Sequence, residues 1–286
     1  MEAAMWQLNN YSKRKHFAHL VALGVLAIAA TAYAGSTTSE VLPKKSNGSE
    51  FRQKSEAASD AKVARGLALL KKGGSDDLRE AYRLFEEAAK EGNPNAEFNL
   101  GIIYLNGEYV PKNTERAAYW FKRAAETGHT FAQYNLAVML EGGIGLSRNL
   151  HEAIKWFERA AKSGHYVSQY NLGLIYADGR GVARDEVAAV SYLAQAAQQE
   201  YAPAQYSLGA MYFEGRGVSR DLVRARTLFE KAATKGHADA QYWLGYMYGK
   251  GVGGPTDTDK VMQLMRAAAA QGHPRARAFL DKLGAN

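Results

Sequence analysis

Apolar and polar positions alternate with the period of a helix along most of the chain, and the alternation itself returns every 36 residues. One repeat illustrates it. Its first apolar stripe has the i, i+4, i+7, i+8 spacing of a helix with one buried face, at Ala204, Leu208, Met211 and Tyr212. A second stripe follows a glycine-containing turn, at Leu228, Phe229, Ala232 and Ala233. The pattern therefore predicts two helices in each repeat.

A glycine and a short polar residue separate the two predicted helices. Gly215 is expected to end the first helix in the left-handed conformation, which a Cβ atom disfavours. Asp221 is expected to cap the second helix and to face the positive end of its dipole. The same register holds a capping residue in the other repeats, at Asn113, Asn149, Asp185 and Asp257. Self-similarity at a fixed period of this size predicts a solenoid, in which each unit buries its apolar face against its neighbours.

The repeat, written A-x-x-LG-x-x-Y…G-x-GV…D…A…W-F-x-x-AA-x-x-G, closely resembles the Sel-1-like repeat, a relative of the tetratricopeptide repeat. The resemblance implies an all-α fold, a right-handed α-solenoid of stacked two-helix repeats. It covers five full repeats, at 94–129, 130–165, 166–201, 202–237 and 238–273. A degenerate repeat over 60–93 and a capping helix over 274–286 are expected to close the two ends.

The N-terminus has a different pattern. Basic residues 13–15, an apolar stretch over 20–30 and an A-x-A sequence ending at Ala34 predict a signal peptide over residues 1–34. The alternative is an uncleaved inner-membrane anchor over 17–34, near the lower length limit for spanning. Residues 35–59 are polar and predict a disordered linker. The chain has no cysteine, so an exported, periplasmic or secreted solenoid would have to be stable without disulfides.

Catalytic motifs are not evident, and we predict a protein that is not an enzyme and has no catalytic residue, cofactor or metal site. Walker, H-E-x-x-H and G-x-S-x-G patterns are missing from the repeats. Some relatives carry β-lactamase-like names, but an S-x-x-K motif at 12–15 falls within the predicted signal peptide. Four histidines recur one repeat apart, too far to share a metal ion, and are predicted to cap helix ends: His129, His165, His237 and His273.

The formal net charge is +7, and arginines recur at the turns between helices. They predict either a solvated rim or a positive ridge suited to anionic polymers or acidic partners, and they are Arg148, Arg180, Arg184, Arg216 and Arg220. Nucleic acid is not expected as a partner, because no aromatic stacking platform is interleaved with these charges.

Solenoids bind partners on the concave surface, which the first helix of each repeat lines. The predicted partner-binding residues are Asn99, Asn135, Asn171, Ser207, Trp243 and Tyr246, and the other positions in the register of Tyr246 are Ile102, Val138, Leu174 and Ala210. The alternative is that these residues pack helix against helix. The sequence thus predicts an exported scaffold that binds another protein, such as an envelope component or part of a signalling or secretion machinery. The second hypothesis is a protein that binds cell-wall or surface polysaccharide.

Overall fold

The computed structural model describes residues 47–107 and 109–284, with side chains from Gln53 onward. The predicted signal peptide, residues 1–34, lies outside the described residues, and so do residues 35–46 of the predicted linker. The described part contains thirteen helices and no strand: α1 Asn47–Lys72, α2 Ser75–Lys90, α3 Pro94–Asn106, α4 Thr114–Glu126, α5 Thr130–Gly142, α6 Leu150–Lys162, α7 Tyr166–Asp178, α8 Glu186–Gln198, α9 Ala202–Glu214, α10 Leu222–Thr234, α11 Ala238–Lys250, α12 Thr258–Ala270 and α13 Pro274–Lys282.

The chain divides into two compact units, Met1–Asn149 and Leu150–Asn286. In the first unit, α1 packs on α2 and α3 on α4, while α2 contacts α3 and α4 contacts α5. In the second, the pairs α7–α8, α9–α10 and α11–α12 follow one another, and each pair contacts the next. Helices α6 and α13 pack on α7 and α12. Each unit is therefore built of stacked helical pairs, and the predicted α-solenoid is confirmed.

The core lies between the two helices of each pair, where a glycine on the first helix meets a large apolar side chain on the second, which is phenylalanine in three pairs. A Cβ atom at Gly101 would lie 2.6 Å from the ring of Phe121. The same contact recurs between Gly209 and Phe229, at 2.9 Å. Both rings are fully buried, and burying a phenylalanine contributes roughly 1.5–3 kcal/mol. The LG dipeptide of the repeat is thus a packing feature, because a larger residue would hold the two helices apart.

Four of the five predicted caps of second helices are confirmed, and so is the predicted glycine at the end of a first helix. Aspartate or asparagine accepts a hydrogen bond from the backbone N–H three residues on at the start of four second helices, through the side chains of Asn113, Asp185, Asp221 and Asp257. At the other end of a first helix, Gly215 is left-handed with φ +72°. The backbone groups that the ends of these helices leave unpaired are therefore satisfied within each repeat.

The second glycine of each turn fixes how the turn lies on the preceding repeat. Gly217 has φ +65°, and a Cβ atom there would lie 2.1 Å from the carbonyl oxygen of Glu186, at the start of α8. By contrast, Gly236, in the link between α10 and α11, has φ +82° and nothing within 4 Å of its would-be Cβ. Glycine at 217 is thus required by close approach as well as by backbone conformation.

The structure differs from the prediction at the start of the first unit. Helix α1 begins at Asn47, inside the stretch predicted as a linker over 35–59, and continues through the predicted boundary at Asp60. Residues 53–58 are helical although their side chains are exposed. Alanine, lysine, glutamate and glutamine are good helix formers, so a helix can extend beyond its packed part without an apolar stripe.

Two positions depart from the pattern of the repeat, and both have clear local structures. Glu200 takes the place of a link glycine in the left-handed conformation, at φ +60°, and its carboxylate lies 3.0 Å from Lys235. The glycine-rich turn after α11 is held by Arg226, which is buried and donates two 3.1 Å hydrogen bonds to the carbonyl oxygen of Pro255. The guanidinium also lies 3.9 Å from the ring centre of Tyr248. That turn is therefore held by an arginine of the preceding repeat.

Candidate partner-binding surface

Five of the six predicted partner-binding residues are buried. The exposed fractions are 8% for Asn99, 6% for Asn135, 7% for Asn171, 8% for Ser207 and 7% for Trp243. Tyr246 is half-buried. Helical periodicity placed these positions at the edge of the apolar stripe, and packing against neighbouring helices covers all but Tyr246.

The buried members of this register have internal hydrogen-bond partners. The amide groups of Asn99 and Asn135 donate to carbonyl oxygens four residues back, at 2.7 and 2.8 Å. In the second unit, Ser207 and Trp243 hydrogen-bond to tyrosine hydroxyls of the preceding repeat, those of Tyr170 and Tyr206. Burial raises the pKa of Tyr170 to about 12 and also raises that of Tyr206. These contacts join successive repeats, which matches the alternative of helix-to-helix packing.

A more accessible stripe runs beside this buried register in the second unit. Its members lie on α7, α9 and α11, are all half-exposed, and are Val167, Leu174, Pro203, Ala210 and Tyr246. We call these five residues the first-helix face. The ring of Tyr246 leans edge-on against Trp243, with centroids 5.6 Å apart, and Trp243 contacts Phe213 at 5.8 Å. The face is therefore mostly apolar and ends in an aromatic platform that packs on buried rings, while the half-exposed Asp239 takes the register of Val167 and Pro203 on α11 and lies 3.3 Å from His273.

The turn arginines do not form a free positive ridge in the second unit. Arg216 lies between two carboxylates, 2.7 Å from Glu186 and 3.4 Å from Glu214. Arg184 also pairs with Glu186, and Arg180 lies 3.6 Å from Asp178. Burial alone would raise the pKa of Glu186, but hydrogen bonds from the two arginines lower it overall. Most of the predicted positive charge at these turns is thus neutralised locally.

Repeating histidines cap the first helices, as predicted. Each accepts a hydrogen bond at Nδ1 from the backbone N–H three residues on, at 3.1 Å for His129, 3.3 Å for His165 and His237, and 3.2 Å for His273. An accepting Nδ1 requires the neutral ring with its proton on Nε2. Burial lowers the pKa of His129 and of His165 to about 4. Asn93 performs the same capping role in the first unit with its side-chain oxygen.

One buried charge was missed by the sequence analysis. Glu97 is 2% exposed and lies 2.7 Å from the guanidinium of Arg123. Burial raises its pKa, while the charge of Arg123 opposes the rise. The other repeats have glutamine here, which donates to a backbone carbonyl, as Gln133 does to Ala125 at 3.3 Å. In the sequence, the sign of this buried charge is that glutamate takes a position that glutamine occupies in the other four full repeats.

A second S-x-x-K motif, over residues 59–62, was also missed. Ser59 is buried on α1, and the ammonium group of Lys62 is in an ion pair with Glu91. The lysine is therefore engaged with a carboxylate of the next helix. Among the residues with described positions, no group of three histidines and carboxylates is arranged to hold a metal ion. Nor does any helix in this part of the chain have the length and apolarity needed to span a membrane.

Comparison with known proteins identifies the repeat. The Sel1 repeat model matches six segments, at 64–93, 94–129, 130–165, 167–201, 202–237 and 238–273. A protective antigen of uropathogenic Escherichia coli displaying an SLR fold is similar, with 34% identity and a TM-score of 0.75. The match covers 84% of this chain but only 52% of the E. coli protein. A Sel1 repeat protein from Oxalobacter formigenes is 31% identical with a TM-score of 0.68, over 75% of this chain and 84% of that one. No curated protein matches the chain.

Proposed function

Because the chain belongs to the Sel1 repeat family, whose members are generally protein-interaction scaffolds, we propose that it binds an extended segment of another protein on the first-helix face of its second unit. The family is also generally non-enzymatic. The observation that carries the proposal is the half-exposed apolar stripe on three consecutive first helices, which ends at Tyr246.

The contacts within this face favour a peptide ligand. Leu174, Ala210 and Tyr246 occupy the same register on α7, α9 and α11, so their side chains form a row across the helices. A row of small and large apolar groups fits alternate side chains of an extended segment, and a rigid aromatic residue is a typical anchor. Asn171, Ser207 and Trp243 lie beneath the row. We propose that they support it, with little surface of their own for a partner.

Site-specific photo-crosslinking tests this assignment. A photoreactive residue at position 210 or 246 is expected to give a discrete protein adduct in the native cell, identified by mass spectrometry. Position 227 is the matched control, because Thr227 is exposed on the outer side of α10. Adducts at 227 alone, or equally at all three positions, would refute the proposed surface. Adducts to glycan at 210 and 246 would instead support the polysaccharide hypothesis.

A substitution at a half-exposed position tests partner binding without removing a fully buried side chain. Tyr246→Ser removes the aromatic anchor from a half-exposed site, so we expect partner binding to weaken about tenfold or more, as for an interface anchor. The half-exposed Val138, in the same register of the first unit, provides the control substitution Val138→Ser. Equal loss in both variants would place the binding site elsewhere.

We further propose that the protein acts outside the cytoplasm. The support is the sequence pattern of residues 1–34, basic then apolar then A-x-A. Mass measurement of the protein recovered from the periplasm should give a chain that starts at Gly35. A full-length chain in the membrane fraction would favour the anchor over 17–34, and a full-length chain in the cytoplasm would refute export.

A further inference from the structure

The outward side of α6 carries a row of basic residues. His151, Lys155, Arg159 and Lys162 are all exposed and lie at i, i+4, i+8 and i+11. Residues at this spacing share one side of a helix. With a rise of 1.5 Å per residue, the row is about 16 Å long.

The cations of this row have no ionic partner among the described residues. Lys155 and Lys162 form no ion pair, and the guanidinium of Arg159 lies over the ring of Trp156, 4.4 Å from its centre. The acidic residues of α6 are half-buried. Glu158 accepts a 3.1 Å hydrogen bond from Tyr176, and Glu152 lies 3.5 Å from the indole nitrogen of Trp156. The negative charges of α6 are therefore engaged inward while its positive charges face solvent.

Helix α2, in the first unit, has the opposite arrangement. Arg83 is 2.7 Å from Glu80 and is also paired with Glu87, which lies one turn further along. Alternating signs at this spacing stabilise an isolated helix, whereas like charges at i, i+4 destabilise it by a similar amount. The row on α6 is thus slightly unfavourable for the protein alone, and an acidic partner would relieve it.

The uncharged surface of α8 limits how broad the acidic surface of that partner can be. Helix α8 is the corresponding helix of the next repeat, and Gln199, just past its end, donates a 3.0 Å hydrogen bond to the carbonyl oxygen of Gly164, just past the end of α6. The outward positions of α8 are uncharged, and they are Val187, Ser191, Gln195 and Gln198. Val187 is 69% exposed. On the side of α8, the row of positive charge is therefore bordered by an apolar residue and hydrogen-bonding groups.

We propose that this surface, which we call the α6 row, binds an acidic helix of a partner protein. A helix lying along α6 would place carboxylates at its own i, i+4 and i+7 positions opposite Lys155, Arg159 and Lys162. Its other edge would contact Val187 and the amides of α8. A long polyanion would need cations continuing onto α8, and an anionic membrane would need a broader basic cluster, which the neutral α8 does not supply.

The probe for the test is a pair of synthetic helical peptides of identical composition, each as long as α6. One has its glutamates along a single side, and the other has them spread evenly around the helix. Fluorescence anisotropy with the full-length protein should show about tenfold tighter binding of the one-sided peptide, the effect of three exposed ion pairs of ordinary strength. This preference should weaken as the ionic strength rises.

Two charge-matched variants locate the site. Lys155→Gln/Arg159→Gln/Lys162→Gln should abolish the preference for the one-sided peptide. The control Lys122→Gln/Arg266→Gln/Lys282→Gln removes the same charge from three other exposed positions and should retain the preference. Circular dichroism checks that both variants remain helical.

Three outcomes would overturn the proposal. The two peptides would bind alike, or both variants would lose binding equally, or the protein would bind anionic lipid vesicles or a sulfated polysaccharide through the α6 row and ignore the peptides. The first-helix face is untouched in all of these variants, so its test and this one fail or succeed separately.

Discussion

Replacing His165 by asparagine should make the protein more resistant to acid. The imidazole caps α7 as a neutral acceptor, and burial lowers its pKa to about 4. In the unfolded chain the same group takes up a proton near pH 6.5. Asparagine has no proton to gain and is a favourable N-cap residue. Asn93 already caps α3 in this way, with 3.0 and 3.2 Å hydrogen bonds.

The magnitude follows from linkage between protonation and folding. Because the native pKa is the lower one, the unfolded state binds more protons between pH 6.5 and 4, and stability falls as the pH falls through this range. Above about pH 7 the histidine is neutral in both states and has no effect. At pH 5 the loss amounts to about 2 kcal/mol for each such histidine. His129, with the same lowered pKa, should contribute a similar loss.

Urea unfolding followed by far-UV circular dichroism, at pH 7 and at pH 5, measures the effect. The wild-type free energy of unfolding should fall more between the two pH values than that of His165→Asn, by about 2 kcal/mol. His151→Asn is the control, because His151 is exposed on α6 and meets water in both states. If His165→Asn loses as much stability as the wild type between pH 7 and pH 5, the capping histidine is not the source of acid sensitivity.

Other substitutions test the turns and links. Gly217→Ala should lower the free energy of unfolding by more than about 3 kcal/mol, because the new methyl group meets a backbone carbonyl. Gly236→Ala should lower it by only about 1–2 kcal/mol, the penalty of the left-handed conformation. Equal unfolding midpoints of the two variants in urea would contradict this difference. Glu200→Gly should raise the free energy of unfolding by about 0.5–1 kcal/mol, because it relieves the same penalty but loses the exposed ion pair with Lys235. A lower melting temperature would argue against it. Arg226→Met should speed the exchange of backbone amide hydrogens in residues 251–256, because the carbonyl oxygen of Pro255 loses its two hydrogen-bond donors. Unchanged exchange would show that the turn is stable without Arg226.

The fold was predictable from the sequence because each repeat encodes its own helices. The i, i+4, i+7 stripes mark the buried sides, and Asp221 and Gly215 mark where helices begin and end. These are local signals that act over a few residues. The start of α1 was not predictable in this way, because its first turns are polar and have no stripe to mark them.

The exposed surface of the first helices was less predictable because exposure depends on how helices pack. Asn171 and Leu174 lie three residues apart on the same helix, yet the first is buried and the second is half-exposed. The pairing of Arg216 with Glu186 joins residues from successive turns, which no short-range pattern encodes. Periodicity therefore identifies the helix on which a residue lies but not whether its side chain is exposed.

The contact between Gly217 and the start of α8 has a consequence for how such a chain can change in length. Each turn rests on the start of a helix in the preceding repeat, so adding or deleting one residue between the two halves of a contact would shift that contact out of register. Whole 36-residue blocks, in contrast, carry both halves of the contact with them. Gene duplication or loss of an entire repeat should therefore be tolerated where a single-codon insertion is not. The same rule makes the repeat the natural module for lengthening or shortening the protein by recombination.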